Sequence, residues 1–467
     1  MAFTDRLHNR GSISTGYDIE NSLKFESDNL ETLYAVPWSS AGTRTTHTWS
    51  IWVKRTELGT RQMLLEGGTL NTVTGQLSLS FQTNDALEVR AGEFVPGSVA
   101  GTVYRLTNRV FRDTSAWYHI VAAFDTTQAT ANNRIKIWIN GVQETSFATI
   151  ANPAQNTDLG LFAANAQQTV AVSGNNGFYY NGYITHAALV YNQQLDADSF
   201  GEFDSDSGIW KPIDLENLTF GAFGFWLKFE NSSSLGKDSS GNNHGFTTPN
   251  ISSADQATDS PTNNGCTLNV LASLEGSNDI TEGALVSTGK AGGGGNFNGT
   301  YGTIGIDPFN STVDWYWEIE TSIGTSGSDT DIGIGWIKES RITSGSTAYN
   351  NVYADGISRY SSQTANAAGD IWGVLLETGT TPVMKLYRND GLIYTATHGS
   401  GGVSFDTLMF PYITVKGTGT DARLNFLNPA SSFSIASGNT DPNGYGNFEF
   451  DTKGGYALCT KNLAEYG

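Results

Sequence analysis

The residues best placed for catalysis lie near the start of the chain. Glu26, Asp28 and Glu31 have the spacing Glu-x-Asp-x-x-Glu within FESDNLET. Two carboxyl groups on either side of a glycosidic bond are what hydrolysis of a sugar polymer requires. The intervening Ser27 and Asn29 favour a turn, whereas a catalytic strand needs apolar residues there to hold its carboxylates in a cleft. We therefore interpret this stretch as a turn and assign no catalytic residue.

A second candidate is His119, within WYHIVAAFD at 117–125. Its neighbours are apolar at every second position, which is the period of a half-buried strand, so His119 points away from this set or into another layer. No Gly-x-Ser-x-Gly turn supplies a serine nucleophile. The stretch RIKIWING at 134–141 alternates in the same way and ends in Asn140-Gly141, a turn signal. The pattern predicts a scaffold hairpin, and only its DTTQATANN turn is expected to contact a partner.

Ligand binding is the next chemistry to consider. Sugar recognition uses exposed aromatic faces beside amide and carboxylate groups, on loops carried by a rigid scaffold. Such residues occur in ESRITSGSTAYNNVYADGISRYSS (339–362), where strand period is lost; the candidates are Tyr349, Asn350, Asn351, Tyr353, Asp355 and Tyr360. The competing interpretation, which the pattern slightly favours, is that these tyrosines pack against the sheet edge. NNGFYYNG at 175–182 raises the same question, with packing again favoured.

Acidic turns are candidates for calcium, a hard cation that takes several oxygen ligands. The residues are Asp238 in KDSSGNNHG (237–245) and Asp329 and Asp331 in GSDTDIG (327–333), and DSDSG at 204–208 is similar. None has the ligand positions and closing glutamate of an EF-hand loop. Solvated turns are the alternative interpretation. No other cofactor is expected.

Composition indicates the number of domains and the class of partner. The chain has 467 residues, which predicts two or three domains. With 54 glycines and only 15% charged residues, it suits many short strands joined by tight turns. The net charge of −20 argues against nucleic acid or an anionic membrane as partner, because nothing here would neutralise a row of phosphates. A neutral glycan or a metal-bridged ligand is compatible with it.

Location and redox state follow from two further features. No apolar run approaches the roughly 18 residues of a membrane span, and MAFTDRLHNR lacks the apolar stretch of a secretory signal. We therefore expect a soluble product made in the cytoplasm. Cys266 and Cys459 are too few for a disulfide framework or a zinc site. Two buried thiols are expected, with a late-forming bridge as the alternative.

Strand-like stretches fall into two series with a polar segment between them. We predict an all-β chain of two antiparallel β-sandwiches in tandem, joined by a segment rich in Gly, Ser and Asn. The predicted boundaries are 1–21 for an arm or attachment peptide, 22–215 for the first sandwich, 216–265 for the connector, 266–430 for the second sandwich and 431–467 for a C-terminal segment. A strand around Phe225 to Phe229 in the connector is expected to dock on one of the sandwiches.

Several of these stretches resemble known families. TWSIWVKR, SAWYHIVAAFD, NRIKIWINGVQE and NGYITHAALVYNQQL together resemble a laminin-G-like, concanavalin-A-type jelly roll over about 22 to 210. DWYWEIE, IGIGW, GDIWGVLLE, LYRNDGLIY and MFPYITV resemble a SPRY domain over about 266 to 430. The joining phrases, such as GEFDSDSGIWKP and FGFWLKFENSSSLGKDSSGNNHGFT, and the closing GYALCTKNLAEY are similar to segments of tail-fibre or virion-surface proteins of tailed bacteriophages, especially marine ones.

The resemblance implies a non-enzymatic virion protein. It would be a tail fibre or surface appendage that binds a host-surface glycan or protein and contacts other virion proteins. Long phage fibres usually begin with a tail-docking domain, but only about 20 residues precede the first sandwich here. A capsid or tail decoration protein is therefore the alternative, and a glycan depolymerase is the less favoured third hypothesis. A homotrimer is possible, although no heptad or collagen-like segment enforces one.

Overall fold

The computed structural model describes residues 16–35, 42–69, 76–91, 103–159, 161, 165–174, 177–271, 279–289, 298–322, 332–344, 367–401, 403–415 and 419–467. These residues fall into two compact units, within Ser14–Thr262 and Asn263–Gly467, called here the N-terminal and C-terminal units. Each is built from antiparallel sheets with an apolar core. The all-β sandwich class predicted from the sequence is confirmed.

The N-terminal unit consists of short strands joined by turns. Its strands are β1 Ser22–Phe25, β2 Leu33–Ala35, β3 Thr46–Arg55, β4 Gln62–Thr69, β5 Leu77–Phe81, β6 Ala86–Ala91, β7 Val103–Val110, β8 Trp117–Asp125, β9 Ile135–Ile139, β10 Val142–Gln143, β11 Phe147–Ala151, β12 Ala166–Val170, β13 Gly182–Tyr191, β14 Gly201–Phe203, β15 Trp210–Pro212, β16 Phe225–Leu227, β17 Phe246–Thr247 and β18 Gln256–Ala257.

Two eight-stranded sheets form the sandwich of this unit. Sheet A has the order β10-β9-β8-β3-β13-β1-β18, with β16 also paired to β13, and sheet B has the order β11-β7-β6-β5-β4-β12-β2-β17. Side chains alternate between the two faces of a strand, so each sheet presents one apolar face. Trp49 and Ile51 of β3 and Leu79 and Phe81 of β5 meet in a single core. The core therefore lies between sheets A and B.

A third layer covers the outward face of sheet A. Trp52 and Trp117 on that face belong to the same hydrophobic cluster as Phe200, Trp210 and other residues of 197–220. The next segment, 216–265, supplies β16 and β18 to sheet A and β17 to sheet B. Its strand at Phe225–Leu227 pairs with β13, where the sequence predicts a docking strand. Much of the predicted connector is thus part of the N-terminal sandwich.

The C-terminal unit is a second sandwich. Its strands are β19 Asp279–Thr281, β20 Val286–Thr288, β21 Asn298–Tyr301, β22 Trp315–Thr321, β23 Ile332–Lys338, β24 Asp370–Glu377, β25 Val383–Arg388, β26 Gly391–Thr397, β27 Met409–Val415 and β28 Asp421–Asn425, and its helices are α1 Glu339–Ser344 and α2 Thr460–Tyr466. The seven-stranded sheet C has the order β19-β20-β28-β22-β24-β25-β26, and sheet D has the order β21-β27-β23. No helix among the described residues is both long and apolar enough to cross a membrane.

Strand β22 has one apolar face and one polar face. Trp315 and Trp317 point into the core, as expected for WYWEIETS. On the other face Glu318 accepts hydrogen bonds from the backbone N–H groups of Glu449 and Phe450, both at 2.9 Å. Burial raises the pKa of Glu318 to about 7. This carboxyl group therefore attaches the C-terminal segment to sheet C.

The two cysteines lie where the ends of the C-terminal unit meet. Both are buried and neither forms a disulfide, which confirms the expectation of two buried thiols. Gly265 and Cys459 form an antiparallel bridge, and neighbouring residues in such a pairing point to opposite sides. Cys266 accordingly joins the sandwich core, whereas Cys459 packs in a separate cluster with Tyr316. The opposite directions of the two side chains explain why they do not pair.

Candidate functional site

The outward face of sheet B carries a continuous row of polar side chains. The strand register places Thr169 opposite Glu66, Glu66 opposite Ser78, Ser78 opposite Arg90, and Arg90 opposite Tyr104. Directly opposed residues in an antiparallel pair share a face. One row therefore crosses β12, β4, β5, β6 and β7, on the face opposite the apolar core.

A second row runs beside the first and gives the face its shape. Met63 is opposite Ser80, and Ser80 is opposite Glu88. The central strand β5 thus presents two small serines between longer side chains on β4 and β6. The two rows form a polar layer along β5 whose side chains are all buried, called here the polar trough. Its members are Arg61, Glu66, Ser78, Ser80, Glu88, Arg90 and Tyr104.

Charges of both signs line the polar trough. The Nη2 atom of Arg61 lies 2.7 Å from Oε1 of Glu88, in an ion pair that is almost fully buried. The guanidinium of Arg90 lies 6.0 Å from the centre of the Tyr104 ring. Buried charges require partners, because desolvation otherwise outweighs any gain from burial. The trough therefore holds preorganised donors and acceptors in a recessed position.

Burial also changes the ionisation of the trough. It raises the pKa of Glu66 to about 7, although the N–H of Gly174, 2.7 Å from Oε1, and nearby Arg61 act in the opposite direction. Burial and a hydrogen bond to Glu88 raise the pKa of Tyr104 above its usual value, so the phenol keeps its proton and donates it. The charge of Glu66 consequently changes near neutral pH.

Phe178 is the exposed aromatic residue beside the polar trough. Its side chain is 38% exposed, and the Arg61 guanidinium lies 5.1 Å from the centre of its ring. Its carbonyl accepts a hydrogen bond from the N–H of Met63 at 2.8 Å, which fixes it next to β4. In the same stretch, NNGFYYNG, Tyr180 is fully buried and donates to the carbonyl of Lys54. The stretch thus contains both a packing aromatic and an exposed one.

This combination suits a polyhydroxylated ligand. Carboxylate and guanidinium groups can exchange charge-assisted hydrogen bonds with neighbouring hydroxyl groups. An exposed aromatic ring offers a flat apolar face to the C–H side of a sugar ring. Phe178 beside Arg61 and Glu88 brings both kinds of contact together.

His119 lies on the outward face of sheet A, not in the trough. The indole N–H of Trp210 donates to Nδ1 of His119 at 2.9 Å, so the ring proton is on Nε2, which donates to Ser50 Oγ at 2.8 Å. Burial lowers the pKa of His119 to about 3, and the ring of Trp52 stacks on it. Because its basic nitrogen is already occupied, His119 cannot take a proton from Ser50. Strands β8 and β9 pair antiparallel as the predicted hairpin, and its role as scaffold stays a prediction.

The carboxylates of FESDNLET lie in a turn, as predicted. The N–H of Leu30 donates to the carbonyl of Ser27, and Leu30 has φ of 58°. Glu31 accepts from the N–H of Glu26 at 2.8 Å and from the side chain of Asn29 at 3.1 Å. Burial, followed by the nearby charge of Asp255, raises the pKa of Glu31 to about 7. Glu31 therefore caps its own turn.

The ligand-binding candidates of the C-terminal unit stay predictions. Tyr349, Asn350, Asn351, Tyr353, Asp355 and Tyr360 lie outside the described residues, as do the calcium candidates Asp329 and Asp331. Within the described ranges, no group of three or more His, Cys, Asp and Glu side chains could hold a metal ion.

Asp238, the remaining calcium candidate, organises its own loop. Oδ1 accepts from the N–H groups of Trp226 and Ser240, and Oδ2 accepts from the Ser240 hydroxyl and the N–H of His244, each at 2.9 Å. A carboxylate has about four acceptor positions, and four protein donors fill them here. Asp204 in DSDSG is held similarly by Ser207 and Lys211. Both carboxylates stabilise turns.

The polar trough was not identified from the sequence. Its strongest signal is the alternation in LSLSF and ALEVRA, where polar residues occupy every second position. That alternation shows that one face is polar, which solvent alone would explain. Only the pairing of β4 with β12, about a hundred residues apart in the chain, shows that the polar positions form one row.

Comparisons with known proteins found similarity to solved β-sandwich structures. No protein-family model and no curated protein matches the chain. Among solved structures, domains LG4–5 of the mouse laminin α1 chain match with 10% identity and a TM-score of 0.30, covering 88% of this chain and 90% of that one. A heptameric SAP-like pentraxin from Limulus polyphemus matches with 14% identity and a TM-score of 0.29, covering 38% and 80%.

A human SPRY domain matches with 16% identity and a TM-score of 0.22, covering 30% of this chain and 90% of that one. At such low identities and TM-scores, these likenesses indicate nothing about ligand or activity. The β-sandwich class rests on the observed strand pairing and cores.

Proposed function

We propose that the N-terminal unit binds a glycan in the polar trough. The observation that carries this proposal is the row of polar side chains across five strands, with the exposed ring of Phe178 beside the Arg61–Glu88 pair. The trough supplies donors, acceptors and an aromatic face, and the sheet fixes their spacing. Sites of this composition, carried on rigid strands, need little reorganisation when a ligand binds.

The wider setting that we propose is the surface of a bacteriophage particle. In this proposal the chain is a non-enzymatic virion protein, a tail fibre or surface appendage, and the glycan belongs to the host envelope. Support comes from the resemblance of its joining phrases to tail-fibre and virion-surface proteins. Many copies on one particle would convert weak single-site binding into high avidity, so weak binding at each site is sufficient.

The test is binding of purified, labelled protein to host cells and to their extracted surface polysaccharide. We expect saturable binding that Phe178→Ala weakens about tenfold, since loss of one aromatic contact costs about 1.5 kcal/mol. Phe203→Ala is the matched control, because Phe203 is 50% exposed but lies on β14, outside the trough. A parallel series with calcium and with chelator tests whether calcium takes part in binding.

Two results would count against the proposal. Equal binding by both phenylalanine variants would place any glycan site elsewhere, and the tyrosine-rich stretch at 339–362 would be tested next with Tyr353→Ala and Tyr360→Ala. Absence of binding at virion-like copy number would favour the decoration hypothesis. In that case, locating the protein on the particle would be the next experiment.

A further inference from the structure

One buried ion pair of the N-terminal unit has the composition of an amide-bond precursor. Nζ of Lys54 lies 2.7 Å from Oδ2 of Asp259, and the two side chains are 0% and 3% exposed. Lys54 is on β3, and Asp259 follows β18, 205 residues further along the chain. Trp117 and Tyr183, which contact this pair, belong to the hydrophobic cluster outside sheet A. An ion pair removed from water in this way pays a large desolvation cost.

Both partners are held in place by independent contacts. The indole N–H of Trp117 donates to Oδ1 of Asp259 at 2.9 Å. The backbone carbonyl of Asp259 accepts from the hydroxyl of Ser22 at 2.6 Å, and the backbone carbonyl of Lys54 accepts from the hydroxyl of Tyr180 at 2.9 Å. Reactants fixed in contact react as if at very high concentration, because the entropy of bringing them together is already lost. Their geometry therefore favours condensation over separation.

We propose that Lys54 and Asp259 form an intramolecular isopeptide bond after folding. Formation of the amide replaces two buried charges by a neutral group, which removes the desolvation cost of the ion pair. The link would join β3 to the segment that follows the last strand of the N-terminal unit. It goes beyond glycan binding and does not depend on it.

The reaction needs only the two side chains. A proton passes from Nζ to Oδ2 across their hydrogen bond, which gives a neutral amine and a carboxylic acid. The amine lone pair then forms a bond to Cγ of Asp259, and the carbonyl electron pair moves onto Oδ1, where the Trp117 N–H stabilises it. A second proton moves from nitrogen to Oδ2, the Cγ–Oδ2 bond breaks and one water leaves. Nothing is oxidised or reduced, and no co-reactant is required.

Intact-mass analysis of the folded chain tests this proposal directly. We expect a mass lower than the sequence mass by one water, and a tryptic digest in which Lys54 is not cleaved and a branched peptide joins Lys54 to Asp259. Lys211 and Asp204 are an internal control, because they lie 3.2 Å apart but with 13% and 8% of their side chains exposed. Their peptides should stay unlinked.

The variant Lys54→Arg distinguishes the proposed bond from other reactions that release water. Lys54→Arg keeps the positive charge but replaces the amine by a guanidinium, which stays protonated and does not attack a carboxyl group. We expect it to fold, by circular dichroism, with the full sequence mass and a lower unfolding temperature than the native chain. Full mass in the native chain, after confirmed folding and prolonged incubation, would overturn the proposal. So would a loss of water with Lys54 still cleaved by trypsin, since a succinimide would give that result.

Discussion

The outward faces of sheets A and B differ, although both arise from the same alternation along the strands. On sheet A the outward positions include Trp52 and Trp117, and residues of 197–220 cover them. On sheet B the outward positions include Glu66, Glu88 and Arg90, which form the polar trough. An amphipathic strand thus leaves two possibilities for its second face. Aromatic residues on sheet A pack against a further layer, whereas the second face of sheet B carries buried, paired charges, where we propose that a polar ligand binds.

The comparison also separates two kinds of buried polar residue. His119 on sheet A has both ring nitrogens hydrogen-bonded within the fold and stays neutral. Glu66 on sheet B is buried beside charged neighbours, and burial raises its pKa to about 7. Residues of the first kind stabilise the packing between layers. Residues of the second kind gain or lose a proton near neutral pH.

The largest loss of stability should come from removing a buried tryptophan of the third layer, the residues of 197–220 that cover sheet A. Trp210→Ala removes a buried indole and its hydrogen bond to His119, which should lower the free energy of unfolding by about 3–5 kcal/mol. Urea denaturation of the purified chain measures this loss. Phe203→Ala, at the exposed neighbour of Trp210, is the control and should cost about 1 kcal/mol or less. Equal losses in both variants would contradict the layered packing.

The outward face of sheet A should be sensitive to acid. The pKa of His119 is lowered from 6.5 to about 3, so the folded state resists a proton that the unfolded state accepts. This contribution is present above pH 6.5 and is lost as the pH falls towards 3, by about 5 kcal/mol. Unfolding curves across this range should be less pH-dependent for His119→Gln than for the native chain. Parallel curves would show that His119 takes up its proton as readily in the folded state.

The stability contributed by Glu66 on sheet B should change with pH in the opposite direction. The pKa of Glu66 is raised from 4.5 to about 7, so the folded state holds a proton that the unfolded state releases. Its contribution is present below pH 4.5 and is lost as the pH rises through 7, by about 3 kcal/mol. Glu66→Gln should therefore gain stability relative to the native chain as the pH rises. A difference between the two proteins that stays constant with pH would contradict the assignment.

The smallest effect concerns the turn beneath Trp210. Gly141 has φ of 78°, and a Cβ there would lie 2.2 Å from the Trp210 ring, so Gly141→Ala should cost about 2 kcal/mol. Gly208→Ala is the matched control, because Gly208 has φ of 68° with no heavy atom within 4 Å of its Cβ. That variant carries the backbone strain alone, about 1 kcal/mol. Equal costs in thermal or urea unfolding would show that contact with Trp210 is unimportant.

Local features of the fold were predictable, and non-local ones were not. Asn140 and Gly141 both have positive φ and close the turn between β9 and β10, as that dipeptide predicts. The alternation in WYHIVAAFD correctly separates the core face from the outward one. By contrast, the row through Thr169 and Glu66 and the pair Lys54–Asp259 join distant parts of the chain. No local pattern encodes such register, and the sequence therefore indicates an aromatic loop, 339–362, as the ligand site instead of a face of sheet B.

Hydrogen–deuterium exchange of the whole chain, with and without extracted host-surface polysaccharide, tests the proposed glycan site in the polar trough most directly. We predict slower exchange in peptides from β4, β5, β6 and the stretch around Phe178, with no change in residues 197–220. Protection confined to 197–220, or to the C-terminal unit, would contradict a glycan site in the polar trough.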